Sequence, residues 1–193
     1  MRWIFGLVAG AMMATAAAGE DYKGNEMPPY RVEVAEGAFE VRSYGAHVVA
    51  EVTVDGSREA SVGTGFRVLA GYIFGGNAAG AKIAMTVPVA QSAADAAGAW
   101  TVRFLMPSAN AAAGLPQPTD GRIRFVTMPP ERQVALRFSG VRSDKTLAEK
   151  ALSLKDWAAA RGLTVTAGPH YYFYDGPMTL PWNRRNEVAF SIK

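Results

Sequence analysis

The sequence predicts an α+β fold in which two α-helices flank a distorted antiparallel β-barrel built from a duplicated ββαββ unit. The first observation is that segments of alternating apolar and polar residues, typical of strands with one buried face, surround two segments of helical periodicity. The second is that the apolar positions of the first helix return 85 residues later. These positions are Val62, Phe66, Leu69 and Ile73, and then Leu147, Ala151, Leu154 and Ala158. Because each half alone would leave a sheet face and a helix stripe uncovered, we expect one domain over residues 30–193.

Residues 1–18 have the features of a secretory signal peptide. Arg2 precedes an apolar run from Trp3 to Ala14, and small residues follow at positions 16–18, a pattern that signal peptidase accepts. The apolar run is shorter than the roughly 20 residues that span a bilayer. We therefore expect cleavage after Ala18, a periplasmic or secreted protein, and no membrane span after cleavage.

The composition limits the chemistry that is available. The chain has no cysteine and two histidines, which excludes disulfides, thiolate ligands and a multi-histidine metal site. The net charge of +3 is small, and no basic run with interleaved aromatics indicates a nucleic-acid partner. No G-x-S-x-G turn or carboxylate cluster is present, so we expect a binding protein and not an enzyme.

The first half begins with a polar segment, residues 19–29, that we interpret as a flexible leader. Ser57 is placed to cap the first helix, which should end at Gly75-Gly76-Asn77. The segment Lys82–Val89 reads as a strand, but Pro88 has no N–H, so the strand must lie at an edge or lose its pairing there. Alternation predicts the other strands at residues 30–34, 39–44, 47–54 and 100–106, with a loop at 91–99.

The second half follows an irregular stretch, residues 108–121, which we interpret as the join between pseudo-repeats at about 30–107 and 122–193. Ser143-Asp144 opens the second helix, and Gly162 ends it. The strands predicted for this half lie at residues 122–128, 133–138, 170–174 and 187–192.

A second face of the first helix carries the functional prediction. Gly63, Ala70 and Gly71 form a stripe almost without side chains, and Arg67 and Phe74 lie beside it. Such a stripe leaves the helix backbone open to a flat ligand. The alternatives are that another element packs closely there, or that the glycines merely cost the helix about 1 kcal/mol each.

Two further segments have both a structural and a functional interpretation. His170, Tyr172 and Tyr174 share one side of an aromatic strand, where they either pack in the core or line a pocket for a flat apolar ligand. Arg184 and Arg185 could pair with ligand carboxylates. For these arginines we favour a structural network with Glu187 or with carbonyls of a neighbouring turn.

Three ordered motifs resemble the SOUL haem-binding protein family: Tyr72–Asn77, Met85–Val89 and Arg184–Val188. The likeness covers about residues 30–193. It implies a distorted antiparallel barrel with two helices, and a haem or related porphyrin held in a shallow apolar pocket along the first helix, with basic side chains at the propionates. The site residues expected on this basis are Gly63, Phe66, Arg67, Ala70, Gly71, Phe74 and Tyr174; an iron ligand stays unknown.

The expected function is therefore the binding, buffering or transport of haem by an exported monomer. The first alternative is a module for another flat or cationic apolar molecule, for which an acid such as Glu51 would line the pocket. The others are an envelope protein that acts through protein contacts and an enzyme that acts on a small electrophile.

Overall fold

The computed structural model describes residues 21–95 and 98–193. Among these residues it contains a small hairpin, a nine-stranded antiparallel sheet and three α-helices. The helices are α1 (Arg58–Ile73), α2 (Ser108–Ala113) and α3 (Asp144–Ala159), and a 3-10 turn lies at Pro181–Asn183. The strands are β1 (Asp21–Tyr22), β2 (Asn25–Glu26), β3 (Tyr30–Glu36), β4 (Phe39–Tyr44), β5 (His47–Asp55), β6 (Val89–Ala93), β7 (Ala99–Leu105), β8 (Arg124–Met128), β9 (Glu131–Phe138), β10 (Val165–Phe173) and β11 (Asn186–Ile192). The predicted signal peptide lies outside the described residues.

The strand order of the large sheet is β3-β4-β9-β11-β10-β6-β7-β5-β8. Strands β4, β5, β6 and β7 correspond in chain order to β8, β9, β10 and β11. When each strand is replaced by its counterpart, the order from β4 to β8 is the same sequence of strands, listed from the opposite edge of the sheet. This symmetry supports the predicted duplication. No hydrogen-bonded pairing joins the edge strands β3 and β8 within the described residues, so the closed barrel and the duplicated unit stay predictions, while the α+β class is confirmed.

The two long helices begin in the same way. The hydroxyl of Ser57 accepts a hydrogen bond from Ala60 N at 3.3 Å, and that of Ser143 accepts one from Thr146 N at 3.2 Å. Each cap satisfies one of the free N–H groups of a first helical turn. The prediction that serines begin both helices is therefore confirmed.

One hydrophobic core fills the space between the helices and the sheet. Helix α1 packs on β5 and β7, and α3 packs on β9, β10 and β11. The contact between α1 and β7 is so close that a Cβ on Gly65 would lie 2.6 Å from the Val102 side chain. The predicted helix stripes are buried except at Phe66, which is exposed, and at Ala151, which is partly buried.

The segment between α1 and β7 differs from the sequence prediction. Residues 83–88 belong to no strand of the sheet, and β6 begins at Val89, directly after Pro88. The ladder therefore starts where the chain again has an N–H to donate. Gln91 to Ala93, predicted as loop, belong to this strand, and residues 108–113 form the short helix α2, which alternation did not indicate.

The prediction of a flexible leader is wrong for residues 21–29. Strands β1 and β2 form a hairpin, and the Met27 side chain is buried against Val87 and Tyr174. The hydroxyl of Tyr22 donates to Asp175 Oδ2 at 3.0 Å. The polar composition did not indicate this packing, because Met27 is the one fully buried apolar side chain among the described residues of the segment.

A buried network of charged side chains links β4 to β11. The Arg42 guanidinium donates to both carboxylate oxygens of Glu187, at 2.7 and 3.0 Å, and both side chains are fully buried. Arg185 also donates to Glu187, at 2.7 Å. Burial alone would raise the pKa of Glu187, but the two guanidinium groups outweigh it and lower that pKa to about 2. The structural interpretation of Arg185 is therefore confirmed.

Candidate functional site

A groove runs beside the N-terminal half of α1, and we call it the helix groove. Its cavity volume is about 350 Å³, within the range of roughly 300–1,000 Å³ that is typical of ligand sites. One wall is α1, the other is the segment that leads into β6, and the turn after β10 closes one end. The lining residues are Asn25, Val62, Gly63, Phe66, Met85, Val87, Val89, Arg142, Phe173, Tyr174, Asp175, Gly176 and Pro177.

The α1 wall of the groove is open at Gly63. A Cβ added to this glycine would meet no atom within 4 Å. Phe66, one turn further along, places its ring edge-on to Phe104 with the centroids 5.4 Å apart, and it remains partly exposed to solvent. The wall therefore offers a flat ligand bare helix backbone followed by an aromatic ring.

Arg142 is the cation of the groove. Its carbonyl oxygen accepts a hydrogen bond from the Arg58 guanidinium at 2.9 Å, which ties the segment before α3 to the start of α1. The Arg142 guanidinium lies 4.6 Å from the centroid of the Phe173 ring, and no carboxylate of the described residues lies within ion-pair distance of it. Burial and then the nearby Arg184 and Arg58 lower the pKa of Arg142. A bound anion would relieve this unfavourable environment.

Tyr174 lies where the helix groove meets the ion-pair network. Its hydroxyl donates to Glu187 Oε2 at 3.1 Å, and the Arg185 guanidinium lies 3.9 Å from its ring centroid. Burial, followed by the charge of Glu187, raises the pKa of Tyr174 well above its usual value. The phenol is therefore un-ionised at neutral pH and already has a partner, so it is poorly suited to bind iron as a phenolate.

The hairpin β1–β2 holds the turn that closes the groove. Lys23 Nζ donates to Asp175 Oδ1 at 2.6 Å, and the Arg185 amide donates to Asp175 Oδ2 at 2.7 Å. Burial alone would raise the pKa of Asp175, but these hydrogen bonds and that of Tyr22 lower it. Asp175 is thus an ionised carboxylate whose negative charge is balanced by Lys23, so it does not make the groove acidic.

The structure brings only some of the expected site residues together. Gly63, Phe66 and Tyr174 line the helix groove. Ala70 was expected on the open stripe, but it is buried in the hydrophobic core. Beyond Ala70 the chain folds back at the last turn of α1. The backbone N–H of Ile83 donates to the Ile73 carbonyl at 2.8 Å in this return.

The remaining three expected residues are exposed but lie outside the lining of the groove. Gly71 has open space around its Cβ position, and Arg67 donates to its neighbour Thr64 at 3.2 Å. Phe74 is the C-cap of α1 and bridges to Lys82. The sequence analysis predicts Arg67 as the cation of the site and does not identify Arg142. Arg142 lies in the groove because the start of α1 packs against the segment before α3, which is distant in the sequence.

A second cavity, which we call the sheet cavity, lies on the face of the sheet opposite the helices and has a volume of about 70 Å³. Its lining includes His170, Tyr172 and Tyr174, as one sequence interpretation predicted, and also the other histidine, His47. Glu131 is the acid of this cavity. Its carboxylate accepts hydrogen bonds from Gln133 at 2.6 Å and from Ser191 at 2.9 Å. Glu51 instead pairs with Arg103 at 2.8 Å.

The groove offers no strong iron ligand in the part of the chain that the structure describes. Neither histidine lines it, and Met85 supplies its sulfur atom. Over residues 21–95 and 98–193, no group of three His, Cys, Asp or Glu side chains could hold a metal ion. Over the same residues, no helix has the length and apolar character needed to cross a bilayer.

Comparison with known proteins gives one family match. The family model described as "SOUL heme-binding protein" matches residues 25–191, which is most of the chain. No curated protein matches the chain significantly.

Several solved structures share the fold at low sequence identity. The C-terminal domain of EcmrR is 12% identical, with a TM-score of 0.61 over 85% of this chain and 98% of that one. A hydrolase from Listeria innocua is 11% identical, with a TM-score of 0.55 over 83% of this chain and 94% of that one. An uncharacterized conserved protein from Listeria innocua is 12% identical, with a TM-score of 0.55 over 80% and 92% of the two chains. At these identities the likeness concerns the fold alone.

Proposed function

The chain belongs to the SOUL haem-binding protein family, and on that premise we propose that it binds haem or a related tetrapyrrole in the helix groove. We further propose that it acts as an exported monomer that buffers or carries the porphyrin and catalyses no reaction. The observation that supports this most strongly is the open groove itself, which combines a bare helix surface with apolar side chains and with Arg142, for which the described residues offer no ion-pair partner.

Burial of the macrocycle would supply most of the binding free energy. Val62, Val87 and Val89 offer apolar surface, and Phe66 and Phe173 offer aromatic rings. At roughly 25 cal/mol per Å², burying on the order of 200 Å² of apolar area would contribute about 5 kcal/mol. Haem would bring its iron to the groove, where Met85 is the one sulfur atom in the described lining. The proposed site therefore depends on the ring and its carboxylates more than on the metal.

Titration of haemin into the protein tests this proposal. The sheet and the core that the structure describes are formed by residues of the ranges 21–95 and 98–193, and a chain that begins at residue 19, after the predicted cleavage site, contains both. We expect a saturable shift of the Soret band at micromolar protein, and metal-free protoporphyrin should bind with an affinity within about tenfold of that of haemin. A free-haemin spectrum that persists at micromolar protein would contradict the proposal.

Substitution of Arg142 by glutamine should weaken haemin binding about tenfold, because the guanidinium that would meet a propionate is lost. The matched control is Arg67→Gln, since Arg67 lies on α1 outside the groove. The same titration with haemin dimethyl ester separates the contribution of the propionate charges from that of the shape of the macrocycle. The difference between the Arg142→Gln variant and the unmodified protein should vanish for the ester. An equal loss of haemin affinity in both arginine variants would show that Arg142 does not bind the propionate.

The sheet cavity favours a second candidate function, the binding of another flat or cationic apolar molecule without haem. Its volume of about 70 Å³ is too small for a macrocycle and below the usual range of ligand sites, so its ligand would have to be small, and Glu131 would attract a cation. A small aromatic amine that binds equally well before and after saturation with haemin would support this second function.

A further inference from the structure

The loop after the groove turn exposes three large apolar side chains, and we call residues 178–182 the apolar loop. Met178, Leu180 and Trp182 are 94%, 52% and 68% exposed. Large apolar residues so exposed and so close together are unusual in a soluble monomer and mark an interaction surface. Gly176 and Pro177, which line the helix groove, come immediately before this loop.

The backbone of the apolar loop is held in place although its apolar side chains are not. The Arg184 guanidinium donates to the carbonyls of Thr179 and Pro177, both at 2.7 Å. The Gly140 amide donates to the Pro181 carbonyl at 2.8 Å. These hydrogen bonds fix the loop backbone with the apolar side chains directed outward. The exposure of Met178, Leu180 and Trp182 is therefore a feature of the ordered loop.

An arginine-lined depression lies directly beside Trp182. Its volume is about 280 Å³, and none of the described residues that line it is acidic. Arg184 and Arg185 are committed to the loop carbonyls and to Glu187. Arg137 has its nearest carboxylates, Glu40 and Glu187, at 3.7 and 3.6 Å, and its side chain is 48% exposed. It therefore keeps donors for an external anion.

We propose that the apolar loop and this depression form a docking surface for an anionic lipid bilayer. Met178, Leu180 and Trp182 enter the interfacial region, and the arginines, Arg137 foremost, meet lipid phosphates. Tryptophan with flanking cations is typical of surfaces that lie at the membrane interface. Since the loop continues from the groove turn, docking would bring the mouth of the helix groove to the lipid surface.

The charge pattern favours a lipid surface over a second copy of the chain. A second copy would place the arginines of two depressions near each other, which is unfavourable without an intervening anion. An anionic bilayer instead offers lipid phosphates to the arginines and an apolar interior to the exposed side chains of the adjacent loop. The docking needs no porphyrin, so its failure would leave the proposed haem binding untouched.

Flotation with vesicles tests the docking. The chain from residue 19 is mixed, without porphyrin, with vesicles of phosphatidylcholine alone or with one quarter phosphatidylglycerol. We expect partitioning into the anionic vesicles, a blue shift of tryptophan emission, and weaker binding to the neutral ones. The Met178→Ser/Trp182→Ser variant should bind anionic vesicles about 10- to 100-fold more weakly, and Arg137→Gln about fivefold more weakly.

The matched control for the loop variant is Phe74→Ser/Leu152→Ser, which removes two exposed apolar side chains elsewhere on the surface. This control should bind as the unmodified protein does. Three results would overturn the proposal: no binding of the unmodified protein to either vesicle, an equal loss in the control, or concentration-dependent self-association that the loop variant abolishes.

Discussion

Replacing Glu187 by glutamine is expected to lower the free energy of unfolding by about 3–5 kcal/mol. The fully buried carboxylate accepts from Arg42 at 2.7 and 3.0 Å and from Arg185 at 2.7 Å. Its removal leaves two largely buried guanidinium groups with an incompletely matched charge, which costs far more than the loss of a surface pair. Urea denaturation at pH 7 measures the change.

The matched control is Asp120→Asn, which removes the carboxylate of an exposed pair with Arg122 at 2.6 Å and should cost less than about 1 kcal/mol. The pH dependence adds a second criterion. The pKa of Glu187 is lowered from 4.5 to about 2, so its stabilisation is complete above pH 4.5 and is lost as the pH falls towards 2. The difference between the unmodified protein and Glu187→Gln should therefore be constant from about pH 5 to 8 and shrink below. Equal losses in the two variants would contradict the role given to the buried pair.

Substitution of Gly63 by leucine should abolish micromolar haemin binding while it stabilises the fold. A Cβ at this position meets no atom within 4 Å. Glycine is less favourable than alanine in a helix interior by about 0.8–1 kcal/mol, and leucine ranks directly after alanine. The same side chain would occupy the wall of the helix groove, and we expect the affinity for haemin to fall about 100-fold. Denaturation and the Soret titration measure the two effects separately.

Gly71→Leu is the control for this prediction. Gly71 lies two turns further along α1, with equally open space at its Cβ position, but outside the lining of the groove. The variant should gain similar stability and bind haemin as the unmodified protein does. If both glycine variants lose haemin binding, the site runs along the whole helix; if neither does, haem binds elsewhere.

The sequence was sufficient for features that depend on local pattern. The strand at 39–44 was predicted with the bounds that the structure has, and Ser57 and Ser143 cap the helices as expected. Alternation also placed His47 on the opposite side from Ala50 and Val52, which are in the core. Each of these follows from a side chain and its near neighbours along the chain.

The features that were missed depend on contacts between distant parts of the chain. Ala70 has nearly the same helical phase as Gly63, yet it is buried in the core while Gly63 faces open space, a difference that helical periodicity does not reveal. Arg142 reaches the groove because Arg58 holds its carbonyl. No local pattern in the sequence indicated this placement, because it depends on a contact between residues that lie 84 positions apart in the chain.

The symmetric strand order interlaces the two halves of the polypeptide. Strand β4 comes early in the chain but pairs with β9, while β8 pairs back onto β5. During synthesis, residues 39–44 therefore have no partner on their inner side until residues 131–138 have been made. Neither half can complete its share of the sheet alone, so cutting the chain between them would yield two fragments with unpaired strands instead of two smaller domains.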